Sequence, residues 1–303
     1  MPELAPEKQK LPPDHPGFEV EEKVSSPWLE AWKSFKKNKL AITGAVIVLL
    51  FILMALLADF IAPYGMNEQS LADKNLAPSS EHWFGTDDFG RDILSRVIFG
   101  ARISLWVGFF AVLGSAVVGS LLGIIAGYFG RWVDTIISRI FDIMLAFPSI
   151  LLAIAVVAVL GPSLRNALIA IAIINIPNFG RLVRSRVLSV KEEEYIMSAK
   201  AIGMSNGRIL FSHVLPNSIA PIIVQGTLAI ATAIIEAAAL GFLGLGAQPP
   251  QPEWGKMLAD SRQYIIQAPW TVFFPGLAIM LTVLGFNLMG DGLRDALDPR
   301  MKN

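Results

Sequence analysis

Few residues in this sequence could make or break a bond. It has no cysteine, which removes disulfides, thiolate nucleophiles and thiolate metal ligands. Its three histidines, His15, His82 and His213, lie far apart in the chain, so no His-rich metal site is expected. Gly203-Met204-Ser205-Asn206-Gly207 has the spacing of a nucleophile elbow, but such a serine needs a preceding strand and a placed histidine. Helix-forming sequence precedes this one. The phosphate-cradling pattern G-x-x-x-x-G-K-[ST] is missing: Gly255-Lys256 is followed by Met257 and has no glycine five residues earlier. Any ATP must therefore bind another polypeptide. H-E-x-x-H spacing is missing as well, and no residue is assigned a catalytic or metal-binding role.

Polar residues inside apolar runs are more informative. Glu236 is the only formal charge between His213 and Glu253. A charge in such a run faces a cavity or a partner, so Glu236 either hydrogen-bonds a neighbouring helix or lines a solute route. Asn175 and Gln225 have the same two options. Asp142 lies one turn from Arg139, and an i, i+3 ion pair is expected there.

The elements that hold these residues are membrane helices. The chain is 53% hydrophobic and 17% charged, with a mean hydropathy of +0.54, whereas soluble domains are about a quarter charged. Net charge is zero, which gives no bulk attraction to nucleic acid. About 20 apolar residues cross a bilayer core of about 30 Å. Stretches of that order occupy 40–58, 103–130, 143–164 (interrupted only by Pro148), 166–180 (short, with Pro177), 214–252 and 263–290. No segment alternates as barrel strands must. The expected fold is all-α and polytopic, with six transmembrane helices. With the N-terminus inside, 18 of the 25 Lys and Arg residues fall on the cytoplasmic side and 7 outside, as the positive-inside rule requires. Both termini are then cytoplasmic. The chain divides into a polar tail (1–39, disordered up to residue 27), a first span (40–62), an extracytoplasmic segment (63–101), a helical membrane domain (102–291) and a short tail (292–303). No signal peptide is expected. Ser115, Gly119, Gly123 and Gly127 share one helical face, as do Ala229, Ala233, Ala237 and Gly241. Such rows let helices approach closely, within this subunit or against a second one.

Residues 191–217 are too polar to span. Glu192, Glu193 and Glu194 suit the positive start of a helix. Tyr195, Ala199 and Ile202 are expected on one face, with Gly203 ending the helix and Ser205 capping the next. Ile209, Leu210 and Val214 form a second apolar face before Pro216. With three basic and three acidic residues over 191–216, this helix–turn–helix has no excess charge for DNA. It reads as a docking element for a cytoplasmic partner.

That segment resembles the EAA loop of ATP-binding-cassette (ABC) importer permeases, with Ala199, Gly203 and Leu215-Pro216 at the family's spacing. Met197 stands where the family often has Glu, and His213 where it often has Ile. His213-Val214-Leu215-Pro216-Asn217 is similar to the variant of the dipeptide, oligopeptide and nickel branch. Trp83-Phe84-Gly85-Thr86-Asp87-Asp88-Phe89-Gly90-Arg91-Asp92, Ala146-Phe147-Pro148, the 240–246 run, Trp254-Gly255 and 290–300 are similarly placed, so the resemblance covers residues 28–300 and is strongest to C-type peptide permease subunits. It implies a type I importer permease in a bacterial cytoplasmic membrane, which is not an enzyme and carries no cofactor. The implied partners are a homologous permease subunit forming a heterodimer, two ABC ATPase subunits that hold ATP-Mg, an extracytoplasmic solute-binding protein and membrane lipid. Glu194, Tyr195, Ala199, Gly203, Leu215 and Pro216 would couple the ATPases to the spans. The competing reading is an ion-coupled secondary transporter acting without an ATPase, which would usually show inverted repeats; none is visible.

Overall fold

The computed structural model describes residues 27–297. The expected disordered tail before residue 27 and the Asp298-Pro299-Arg300 motif lie outside the described residues. Helix α1 (Pro27–Lys37) buries Ala31 and Phe35. Helix α2 (Lys39–Leu56) starts at Asn38, whose Oδ1 accepts from the amides of Leu40 and Ala41, and a short turn, α3 (Ala58–Ile61), follows it. Helix α4 (Ile93–Phe129) starts at an Asp92 cap and is 37 residues long. Helices α5 (Arg131–Leu145) and α6 (Ser149–Leu160) meet at a corner of 96°. Helix α7 (Leu164–Val190) starts at a Ser163 cap. The surface pair α8 (Glu194–Ala201) and α9 (Asn206–Ile209) leads through a π turn (Leu210–Val214) into α10 (Leu215–Phe242). A Glu253 cap starts α11 (Trp254–Ser261), and α12 (Trp270–Leu297) closes the chain.

Five stretches are long and apolar enough to cross a membrane alone, namely α2, α4, α7, α9–α10 and α12; the bent pair α5–α6 makes a sixth if it counts as one broken span. Two expectations need correction. The run 143–164 is not one helix. Pro148 has no amide hydrogen and its ring disfavours helical geometry in the residue before it, so the chain turns at Phe147–Pro148. The 12-residue α6 then rises only about 18 Å. Nor does the fourth span stop at residue 180. Helix α7 runs for 27 residues, through Pro177 and past Arg181, Arg184 and Arg186.

The small-residue rows pack inside this chain. A Cβ on Gly119 would lie 2.6 Å from the Ile176 carbonyl oxygen, and one on Gly123 would clash with that of Gly180. The α4 and α7 backbones therefore touch with nothing between them. Ala229, Ala233 and Ala237 enter the same core with Val107, Ile171 and Phe179, while Gly241 faces the Glu253 carboxylate. Outward-facing Leu49, Leu50, Ile52 and Leu53 of α2 remain exposed, which suits lipid contact.

The 83–92 motif folds into a buried polar knot at the start of α4. Asp87 accepts from the amides of Phe89 and Arg91 and from Arg91 Nε at 2.7 Å, and Arg96 Nε lies 3.5 Å away. Asp92 holds His82 Nδ1 at 3.0 Å and the Ser95 hydroxyl at 2.7 Å. Trp270 Nε1 donates to the Thr86 carbonyl and Trp254 Nε1 to that of Val97. These bonds tie the knot to α11 and α12, so the motif acts here as a brace.

Two stability tests follow from these contacts. Gly123→Ala should lower the thermal midpoint of the purified protein in detergent by the equivalent of about 1–3 kcal/mol. Gly114→Ala, whose Cβ would meet Ala172 at an ordinary 3.6 Å, should be neutral or stabilising by about 0.5–1 kcal/mol. Asp87→Ala leaves two buried guanidinium groups without their carboxylate and should cost about 3–5 kcal/mol, read as lost folded yield and a lower midpoint.

Candidate functional site

The surface pair is built from backbone rules. Glu194 sits in the first turn of α8, where the dipole favours it. At the other end, Gly203 adopts φ +81°, a conformation glycine takes without strain. The Met204 amide donates to the Ala199 carbonyl and the Gly203 amide to that of Lys200, both at 3.0 Å, which closes the helix as a Schellman turn. The buried face is Ile196 and Ala199, packed on Val183, Val187, Val190, Ile209 and Val214. The expected face of Tyr195, Ala199 and Ile202 is corrected by this arrangement. An eight-residue helix buries only a narrow side, and the pair at i, i+3 that occupies it is 196/199. Tyr195 instead stands edge-on to His213, and its hydroxyl accepts from Asn217 Nδ2 at 3.2 Å. Ser205 occupies the cap position of α9, but its side chain makes no capping bond. Helix and turn precede Ser205, which removes the nucleophile-elbow reading.

Pro216 does not end this segment. Helix continues from Asn206 to Phe242, and the wider π turn lies directly ahead of the donor that Pro216 lacks. Leu215 is half-buried and Pro216 exposed. The pair is tied to the end of α4 by Tyr128 Oη, which donates to Asn206 Oδ1 at 2.6 Å, and by Lys200 over the Tyr128 ring. Its outer surface shows Met197, Ile202 (80% exposed) and Phe211 (71% exposed).

Helix α5 is clamped to α7. Arg184 makes two bonds to the Asp134 carboxylate, and Arg181 Nη2 reaches Asp142 Oδ1 at 2.5 Å. The expected Arg139–Asp142 pair is thus replaced. The longer α7 delivers a guanidinium to Asp142.

Glu236, Asn175 and Gln225 all line one cavity of about 340 Å³ between α7, α10 and the α5–α6 corner. Asn175 Nδ2 donates to Glu236 Oε2 at 3.1 Å and to the Ile171 carbonyl at 3.0 Å. The interhelix bond and the cavity lining, two options from the sequence, therefore coincide. Ser149 of the corner and Asn178 of α7 complete the polar rim, and Phe147 of the corner adds an apolar edge. Sequence reasoning named Phe147 only as part of the Ala146-Phe147-Pro148 motif and passed over Ser149 and Asn178. Glu236 lies six residues from the end of α10 and Asn175 eleven from the start of α7, about 9 and 16 Å along the helices. Among the described residues, no cluster of three or more His, Asp and Glu could hold a metal.

Comparison with known proteins agrees with this architecture. Residues 119–303 match the family model described as binding-protein-dependent transport system inner membrane component, and residues 26–78 the N-terminal TM domain of oligopeptide transport permease C. The chain is 65% identical over 302 residues to the dipeptide transport system permease protein DppC of Alkalihalophilus pseudofirmus, covering 100% of this chain and 98% of that one. It is 52% identical over 282 residues to the glutathione transport system permease protein GsiD of Escherichia coli O157:H7, with 93% of each covered. Among solved structures, inward-facing MetNI methionine ABC transporter chains match with TM-scores of 0.55 and 0.56 at 18% identity, over 68% of this chain and 98% of those. The ion-coupled secondary transporter is set aside by these matches. The chain belongs to the binding-protein-dependent transport system inner membrane component family and is a permease subunit of an ABC importer.

Proposed function

We propose that this permease imports dipeptides or oligopeptides, with ATP hydrolysed on partner subunits that dock on α8 and α9. The observation that carries the coupling part is the exposed apolar surface of Met197, Ile202 and Phe211 on a segment continuous with a membrane helix. Exposed apolar patches of this kind mark interaction surfaces. The relatives named for dipeptide and glutathione transport support peptide as the solute class. In this reading a homologous permease forms the other half of the route, and an extracytoplasmic binding protein delivers the solute. ATP binding draws the α8–α9 pair with its ATPase, and the rod through the π turn carries that displacement into α10. Gly203 keeps the pair compact, Ala199 seats it, and Glu194, Tyr195, Leu215 and Pro216 shape its edge.

Orientation is tested by single cysteines, which the cysteine-free chain accepts without background. Ser79, Asn206 and Gln251 are all exposed. In intact cells an impermeant thiol reagent should label cysteines at 79 and 251 and spare one at 206. Labelling at 206 would place the docking segment on the wrong side.

Coupling is tested by charge on the outer surface. Ile202→Glu with Phe211→Glu touches no buried contact, so insertion, pairing and thermal midpoint should match the parent. Retained ATPase subunits and peptide uptake in reconstituted complexes should fall at least about tenfold, as for loss of a central apolar anchor. Gly203→Asp should act in the same direction through a local backbone cost of about 1–2 kcal/mol. Full uptake by the double variant would remove the coupling role.

A further inference from the structure

The carboxylate of Glu236 is unusual because no cationic side chain among the described residues faces it. The seven ion pairs among the described residues do not include it, and no Lys, Arg or His lines its cavity. A carboxylate offers about four acceptor positions. Asn175 takes one, Ser149 also reaches the group, and the rest face the cavity. Nearby stand the side-chain amides of Asn178 and Gln225 and the Thr232 hydroxyl, all able to accept a hydrogen bond. The remaining wall is apolar, with Leu145, Phe147, Leu152 and Leu228. The volume of about 340 Å³ falls within the roughly 300–1,000 Å³ typical of small-molecule sites.

We propose that Glu236 receives the protonated amine of the solute during passage, with Asn175 holding the carboxylate in place. The inference rests on the peptide-importer reading and names the part of the peptide that this site takes. A primary ammonium carries three donors and one positive charge; it supplies the charge Glu236 lacks and bonds that the amide rim can accept. An anionic group would be repelled, and a metal ion would find one carboxylate where it needs several ligands. The apolar wall leaves room for the adjoining side chain. A purely structural Glu236 would need only its bond to Asn175, which glutamine also makes; ammonium capture needs the charge.

The test uses the complete transporter, with both permease subunits and both ATPases, in lipid nanodiscs without the binding protein, whose own selectivity is thereby excluded. Binding of Ala-Ala and of N-acetyl-Ala-Ala is measured by calorimetry at millimolar peptide. The parent should prefer the free amine by about tenfold or more, the scale of losing one buried charge partner. Glu236→Gln should assemble in normal amounts and lose that preference; Glu236→Asp should keep most of it. Equal preference in the parent and Glu236→Gln would overturn the proposal. So would a Glu236→Asp complex that binds both peptides alike, which keeps the test decisive if Glu236→Gln fails to assemble. Uptake by the binding-protein-supplied parent in liposomes is the companion measurement. Uptake of peptide with no amine preference at Glu236 sinks this inference alone, whereas no peptide uptake at all sinks the peptide reading together with it.

Discussion

A bilayer core offers no water to backbone amides, so irregular backbone is tolerated there only where protein or a cavity covers it. This constraint organises the molecule. Among the described residues, five candidate spans are continuous helices, and the bent pair broken at Phe147–Pro148 stands beside the polar cavity. The break and the half-buried Glu236 carboxylate belong together. An unbroken third span would fill the space that Phe147 and Ser149 border, and Glu236 would then face apolar side chains with little to offset its desolvation.

The cavity has two sides of different character. Helices α4 and α7 meet backbone to backbone through Gly119 and Gly123, and α5 is tied to α7 by two arginine–carboxylate pairs. That side is well braced. Helix α10 contributes Glu236 and Gln225 from the other side, and it continues without a break into α9. In the proposed reading, a displacement at α9 passes along this rod to the wall that carries Glu236.

Much of this was legible in the sequence because lipid makes polar residues conspicuous. Glu236, Asn175 and Gln225 stood out as polar side chains in apolar runs, and all three line one cavity. Gly203 announced its turn because few other residues take its backbone conformation. What stayed hidden depended on partners distant in the chain. Arg181 and Arg184 read as the end of a span, since their carboxylate partners lie on α5. Pro148 was visible, but Pro177 sits within an unbroken helix, so proline alone does not tell a corner from a tolerated kink. The buried side of α8 could not be read either, because eight residues admit more than one apolar face and only packing against α7 selects Ile196.

The central claim is that α9 and α10 move as one rod relative to the braced side of the cavity. The cysteine-free chain allows spin labels at Ser212 and Leu243, exposed near the two ends of the rod, and at Leu160, exposed at the end of α6. Distances are measured by pulsed electron resonance in the assembled transporter, with and without a non-hydrolysable ATP analogue. The expected result is an unchanged 212–243 distance together with a shift in 212–160. A 212–243 distance that changes or broadens when nucleotide binds, or a 212–160 distance that stays fixed, would contradict the account.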